Sequence, residues 1–226
     1  AARLLDRERA TLPVRDAQRL ARRVAFAWLR AGSPDRASAA VGEDSSLAGD
    51  EVRGWVALYR GALREATAML RAVGADAGDA ARAPERADAV ALASAVGRDS
   101  FPALGAALLL AARGDTIGAS RALAAAAGEL DGEARAEVQI RAAHFAEAAH
   151  DTAAAEALWT AIAARPGASP AGAAALLALA RVSAERGRYA EAAERLETLI
   201  LRNPDSALVP EARRELDRAR GLVPRS

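Results

Sequence analysis

Two histidines, His144 and His150, are the side chains of this sequence best suited to acid–base or metal chemistry. Six residues apart on a helix, they lie about 120° apart around its axis, so they cannot both bind one metal ion. The chain has no cysteine, which excludes disulfides, iron–sulfur clusters, c-type haem attachment and cysteine-ligated zinc. We therefore expect no metal site and no cofactor.

Motifs of catalytic and nucleotide-binding sites are also missing. The sequence contains no G-x-S-x-G, P-loop, G-x-G-x-x-G or H-E-x-x-H pattern. Most carboxylates lie four residues from an arginine, as Glu191 and Arg195 do, a spacing typical of a solvated helix face. The tripeptide at 113–115 spells an adhesion motif, but we interpret it as a turn in which Asp115 caps the next helix. The sequence therefore predicts a protein that is not an enzyme and has no catalytic residue.

Composition narrows the fold class. The 226 residues carry a net charge of +1, and all 31 basic residues are arginine, so binding of nucleic acid through bulk charge is not expected. Alanine occurs 66 times, whereas aromatic residues make up only 4%; this favours helices over sheet. No uncharged apolar run reaches the length of about 18 residues that a membrane span requires. The composition predicts an all-α protein.

Glycine and proline divide the chain into helical segments, most of which form antiparallel pairs joined by short turns. The predicted helices are 15–31, a short helix after Asp35, 50–60, 63–73, 84–96, 102–113, 117–127, 133–149, 152–164, 171–186, 189–202 and 210–220.

The turns repeat a pattern. Residues 114–123, 150–159 and 187–196 align with one another, and the turns at Gly61 and Gly32 follow the pattern less closely. The three clear turns begin 36 and 37 residues apart, which is the kind of constant period that marks a repeat architecture. The interval of 53 residues from Gly61 to Gly114 leaves room for one additional helix near 84–96.

This pattern resembles the tetratricopeptide repeat (TPR) family. The last turn has the family's glycine, aromatic residue, small residue, large residue and closing proline at Gly187, Tyr189, Ala192, Leu196 and Pro204. The other turns keep the small residue, at Ala155, Ala119, Ala66 and Ala37, but replace the aromatic with Thr152, Thr116, Leu63 and Pro34. The resemblance implies an all-α, TPR-like, right-handed helical-hairpin solenoid with a C-terminal capping helix. The alternative is a non-repetitive α-helical bundle whose self-similarity comes from its alanine content.

We expect residues 1–220 to form a single TPR-like repeat domain. Its repeats are weak at 15–98 and clearer at 99–206, and a capping helix follows at 207–220. The end at 221–226 is interpreted either as a native tail or as the remnant of a protease-cleavage tag. Because the chain begins without methionine, we expect either a removed signal or anchor segment or an excised fragment. The turn at 203–206 resembles TPR modules of bacterial cell-envelope proteins, which favours a periplasmic or cell-envelope location over a cytoplasmic one.

In the TPR family the first helix of each pair lines the concave face. On this basis the candidate partner-binding residues are Arg22, Phe26, Arg30, Trp55, Tyr59, His144 and Arg181. The rings of Trp55 and Tyr59 beside Arg22 and Arg30 would suit a partner peptide or helix with an apolar anchor and a carboxylate. A second interpretation places both rings beneath the additional helix at 84–96.

The resemblance predicts a non-enzymatic protein–protein interaction scaffold that binds a partner peptide or helix in its concave groove, in a role such as bacterial cell-envelope assembly. The alternative is a structural subunit or dimerisation domain of a larger complex, including a homodimer. Neither function calls for nucleic acid, a cofactor or a membrane span.

Overall fold

The computed structural model describes residues 12–74 and 80–222. These residues form twelve α-helices and one 3-10 helix and include no β-strand, which confirms the all-α prediction. Of the tail predicted at 221–226, residues 221 and 222 belong to the last helix, whereas residues 223–226 lie outside the described part, as do residues 1–11. The helices are α1 (Val14–Arg30), α2 (Pro34–Val41), α3 (Leu47–Tyr59), α4 (Leu63–Ala72), α5 (Ala83–Val96), α6 (Pro102–Ala112), α7 (Thr116–Ala127), α8 (Gly132–Ala148), α9 (Thr152–Ala163), α10 (Pro170–Glu185), α11 (Tyr189–Arg202) and α12 (Val209–Leu222), with the 3-10 helix at Ala80–Arg82.

The chain divides into two compact units, residues 1–126 and 127–226. In the first unit α1 to α5 pack consecutively, each against the next, and α1 and α6 both contact α3. In the second unit α8 to α12 also pack consecutively, and α8 contacts α10. Contacts between successive helices, combined with contacts between the first helices of successive pairs, are consistent with a helical repeat.

Five turns within the helical pairs share one backbone conformation. In each, the turn residue has positive φ, its N–H donates to the carbonyl three residues earlier, and the next N–H donates to the carbonyl five residues earlier. These are the two hydrogen bonds of a Schellman motif, which satisfies the last carbonyls of a helix. The turn residues and their φ values are Gly32 (74°), Gly61 (77°), Gly114 (82°), His150 (57°) and Gly187 (73°).

An alanine follows each of these turns five residues later and is buried in every case. Its N–H donates to the carbonyl of the residue directly after the turn residue, so it closes the first turn of the second helix. The exposed fraction is 5% or less at all five positions, which are Ala37, Ala66, Ala119, Ala155 and Ala192. The turn therefore recurs in backbone hydrogen bonding as well as in residue type, which is consistent with a helical repeat.

Close helix packing in the first unit depends on Gly105 in α6. A Cβ atom at this position would lie 2.4 Å from the Gly61 backbone nitrogen and 2.7 Å from the Leu58 carbonyl oxygen. Only glycine therefore allows α6 to approach the end of α3 this closely. The same contact is held by a hydrogen bond of 2.7 Å from the Phe101 N–H to the Gly61 carbonyl.

The predicted start of α3 at residue 50 is three residues late. Ser46 is the true N-cap, because its hydroxyl accepts a hydrogen bond of 3.2 Å from the Gly49 N–H. Gly49 does not interrupt the helix, and Leu47 and Ala48 form its first turn.

The other two tryptophans differ in burial. Trp159 is 1% exposed and lies in a cluster with Ala143, Ile162 and Leu179. Trp28 is only half-buried, and the Arg36 guanidinium lies over its ring, 4.7 Å from the centroid.

Within the described residues, no helix is both long enough and apolar enough to pass through a lipid bilayer.

Candidate binding site

Positive charge is concentrated on α1. This helix has five arginines and one acidic residue, Asp16, a net charge of +4 in a chain whose total is +1. Helical periodicity places four of the arginines and Phe26 along one face, since they recur at intervals of three or four residues. These residues are Arg15, Arg19, Arg22, Phe26 and Arg30, with Arg23 at the edge of the same face.

Two adjoining cavities, of about 600 and 370 Å³, run along this face. Both are lined by Arg19, Arg22 and Ala48; the larger extends to Arg15 and the smaller to Arg30. We call this surface the α1 trough. On α1 it is defined by Arg15, Arg19, Arg22, Arg23, Phe26 and Arg30, and on the opposite side by residues 46–48 and Arg82.

Asp44 fixes the position of Arg22 in the trough. Its carboxylate is buried and accepts a hydrogen bond of 2.6 Å from the Arg22 guanidinium. The Ser46 backbone N–H donates to the other carboxylate oxygen at 3.1 Å. Burial alone would raise the pKa of Asp44, but hydrogen bonds from Ser46 and Arg22 and the charge of Arg22 outweigh it and hold the pKa below its usual value. Arg22 therefore joins α1 to the start of α3, and its charge is already matched.

A buried ion pair lies beneath the trough, and its acidic member, Glu51, lines the smaller cavity. Glu51 of α3 is 2% exposed and binds Arg86 of α5 at 2.7 Å, while Arg86 also donates to the Gly74 carbonyl at 2.9 Å. Beside this pair the Arg82 guanidinium stacks on Phe26, 3.6 Å from the ring centroid. The Phe26 ring is therefore covered by a cation on one face.

Arg15, Arg23 and Arg30 remain as the available cations. All three are exposed, and none of them forms an ion pair within residues 12–74 and 80–222. The trough therefore combines a cavity, fixed walls and three arginines whose charge is not matched by a carboxylate of the described residues. Such guanidinium groups bind carboxylates or phosphates through paired hydrogen bonds.

The observed position of Trp55 differs from the expected one. It was expected on the surface as a partner anchor, but it is 4% exposed, so its ring is not accessible in this structure. Its ring packs against Tyr59, with 5.9 Å between centroids. The start of α5 reaches the same region of α3, because Arg86 binds Glu51 one turn before Trp55. This agrees with the second interpretation, in which the additional helix covers the rings.

Tyr59 is half-buried in the same region. Burial, followed by the charge of Glu85 in α5, raises the pKa of its hydroxyl above the usual value, while Arg82 and Arg30 act in the opposite direction. The charge of Arg30 therefore acts on the Tyr59 hydroxyl. Tyr59 nevertheless contributes to the packing around α5 rather than to an open aromatic surface.

His144 and Arg181 belong to the second unit, where each has local partners. The exposed His144 ring meets Trp159 edge-on and lies 3.1 Å from Glu147, which also accepts from the Trp159 indole N–H at 2.7 Å. Arg181 binds Glu211 and Glu215 of α12 at 2.5 and 2.8 Å. The hydrogen bond to Glu215 is the main cause of a raised pKa at Arg181. Arg181 thus connects α10 to α12, and its predicted role in partner binding remains a prediction.

Sequence reasoning missed four arginines of the trough, Arg15, Arg19, Arg23 and Arg82. A signal for the first three was present, since a helix with five arginines and one aspartate stands out in a chain of net charge +1. Arg82 had no such signal, because it reaches the trough through a contact with Phe26, 56 residues earlier in the chain.

No three His, Asp or Glu side chains of the described residues are grouped so that they could hold a metal ion. The chain matches no protein-family model, no curated protein and no solved structure.

Proposed function

We propose that this chain is a non-enzymatic, TPR-like scaffold that binds a peptide or helix of a partner protein on the face formed by the first helices of its pairs. The observation that carries the proposal is the five-fold recurrence of one turn, with its positive-φ residue, its two hydrogen bonds and its buried alanine. A chain built from such pairs presents a row of similar helices on one side, and this arrangement suits recognition of an elongated partner.

The α1 trough supports the proposal. It lies on the first helix of the first pair, it is concave, and three of its exposed arginines, Arg15, Arg23 and Arg30, have no carboxylate partner in the described residues. Exposed side chains of this kind provide specificity for a partner without forming part of the core.

A peptide-display selection tests the proposal. The purified chain is panned against a random peptide library, and selected peptides are synthesised and titrated by calorimetry, while sedimentation velocity gives the solution mass. We expect a monomer at micromolar concentration and at least one peptide that binds with one-to-one stoichiometry. A tight dimer that selects no peptide would contradict the scaffold and support the structural-subunit alternative.

A further inference from the structure

The charges of the α1 trough do not cancel within it. Asp16 pairs with Arg19 at 2.8 Å, Asp44 with Arg22 at 2.6 Å, and Glu51 with Arg86. Arg15, Arg23 and Arg30 are left without an ion pair among the described residues. The unmatched charge is therefore carried by exposed side chains, which retain conformational freedom and are available to a ligand.

The spacing of these arginines favours an elongated ligand. Arg15 and Arg30 are fifteen residues apart, which corresponds to about 22 Å along a helix axis. An extended peptide covers this distance with about seven residues. A single compact anion such as inorganic phosphate is too small to span the distance from Arg15 to Arg30.

The aromatic content of the trough favours carboxylates over nucleic acid. Proteins that bind single-stranded nucleic acid offer exposed aromatic faces on which the bases stack. The aromatic residue lining the trough is Phe26, and Arg82 covers its ring. The chain as a whole also lacks the excess of positive charge that drives nucleic-acid binding.

We propose that the α1 trough binds an acidic segment of a partner protein, which lies extended along α1 with its side-chain carboxylates paired to Arg15, Arg23 and Arg30. This inference rests on the proposed scaffold function and specifies the chemistry of its ligand. The carboxylates belong to side chains within the segment, so a free C-terminus is not required.

Fluorescence anisotropy with a labelled probe tests this proposal on the full chain. The probe is an eight-residue peptide of alternating glutamate and serine, acetylated and amidated at its ends, and its control replaces every glutamate with glutamine. We expect the glutamate probe to bind the wild-type protein at least tenfold more tightly than the glutamine probe. The affinity should fall as salt is raised from about 20 to 200 mM, because exposed charge pairs are screened.

Charge reversal locates the site. Arg23→Glu with Arg30→Glu should weaken binding of the glutamate probe at least tenfold, and Arg23→Gln with Arg30→Gln should produce a smaller loss. The matched control is Arg213→Glu with Arg214→Glu, the same change in charge on exposed residues of α12, and it should bind as the wild type does. Equal affinity of the trough variants and the control variant would overturn the proposal.

A twelve-nucleotide thymidine strand serves as a competitor. It should displace the probe only at concentrations at least tenfold above those of unlabelled probe. Displacement at equal or lower concentration would identify the trough as a nucleic-acid site and overturn the proposal.

Peptides from the display selection separate a failure of this inference from a failure of the scaffold function. If they bind the trough variant Arg23→Glu with Arg30→Glu as tightly as the wild type, the scaffold stands and the trough assignment fails. If the selection yields no peptide but the glutamate probe binds through Arg23 and Arg30, the trough assignment stands without support from the scaffold function.

Discussion

At the scale of single residues, His150 is the exception among five equivalent turns. Four of them have glycine at the positive-φ position, whereas His150 adopts φ 57° with a Cβ atom. A left-handed conformation costs an ordinary L-residue roughly 1–2 kcal/mol relative to glycine, in part offset by the greater freedom of unfolded glycine. The turn at 150 therefore forms with strain that its neighbours avoid.

Replacement of His150 by glycine should relieve this strain. We expect His150→Gly to raise the free energy of unfolding by about 0.5–1 kcal/mol, measured by urea titration. Gly187→Ala introduces a Cβ atom at the equivalent turn and serves as the control. It should lower the free energy of unfolding by a similar amount. A loss of stability in His150→Gly would mean that the imidazole makes a contact that outweighs the strain.

At the scale of elements, α12 packs against the last helical pair of the second unit. Its residues Val209, Ala212, Leu216 and Ala219 are buried in a cluster with α10 and α11, where Leu196 and Leu199 are among its neighbours. On the surface, Arg181 of α10 binds Glu211 and Glu215 of α12. Exposed ion pairs contribute at most about 1 kcal/mol each, so the apolar contacts hold α12 in place and the ion pairs align it.

A matched pair of substitutions tests this assignment. Leu216→Ala removes a side chain that is 7% exposed and should lower the free energy of unfolding by about 2–5 kcal/mol. Leu201→Ala makes the same chemical change at a residue of α11 that is 81% exposed and should leave stability within about 0.5 kcal/mol. Similar small effects in both variants, measured by thermal and urea unfolding, would show that α12 does not cap the unit.

At the scale of the whole molecule, the second compact unit has the elements of an independent fold. Its described residues form five helices and two buried clusters, one around Trp159 and Ile162 and one around Leu196 and Leu199. In repeat proteins, stability is distributed over neighbouring repeats, so part of an array can fold without the rest.

We therefore expect residues 128–226, expressed alone, to be helical and to unfold cooperatively. Circular dichroism at 222 nm gives the helix content, and a melting curve gives the cooperativity. The control is the fragment 128–207, which lacks α12 and should unfold at a lower temperature. A non-helical 128–226 fragment would show that the second unit depends on the first for folding.

Net charge is also a property of the whole molecule, but the total for this chain does not reveal the local excess of positive charge on α1. A total of +1 argues against a binder that works by bulk charge. The excess of positive charge on α1 appears only when charge is counted along this one helix, which has five arginines and one aspartate. Local charge, rather than total charge, therefore makes the trough a candidate site for an anionic ligand.

The amino-acid sequence by itself determined the helices, the turns and their repetition. Alanine content, the glycine at four of the five turns and the alanine that follows every turn act within a few residues, and helix ends depend on such local hydrogen bonds. Asp115 illustrates this, since its carboxylate caps α7 by accepting from the Gly118 N–H at 2.8 Å, as the sequence predicted.

Only the tertiary structure decided which side chains form the candidate site. Trp55 is buried in a region where α3 meets α5, whose Arg86 binds Glu51 across 35 residues of sequence. Arg181 likewise meets its partners on α12 across 30 and 34 residues. Helical periodicity orders residues around one axis, but it does not specify which neighbouring helix covers each face. That choice arises from packing between distant segments, which buries Trp55 and leaves Arg23 and Arg30 exposed beside a cavity.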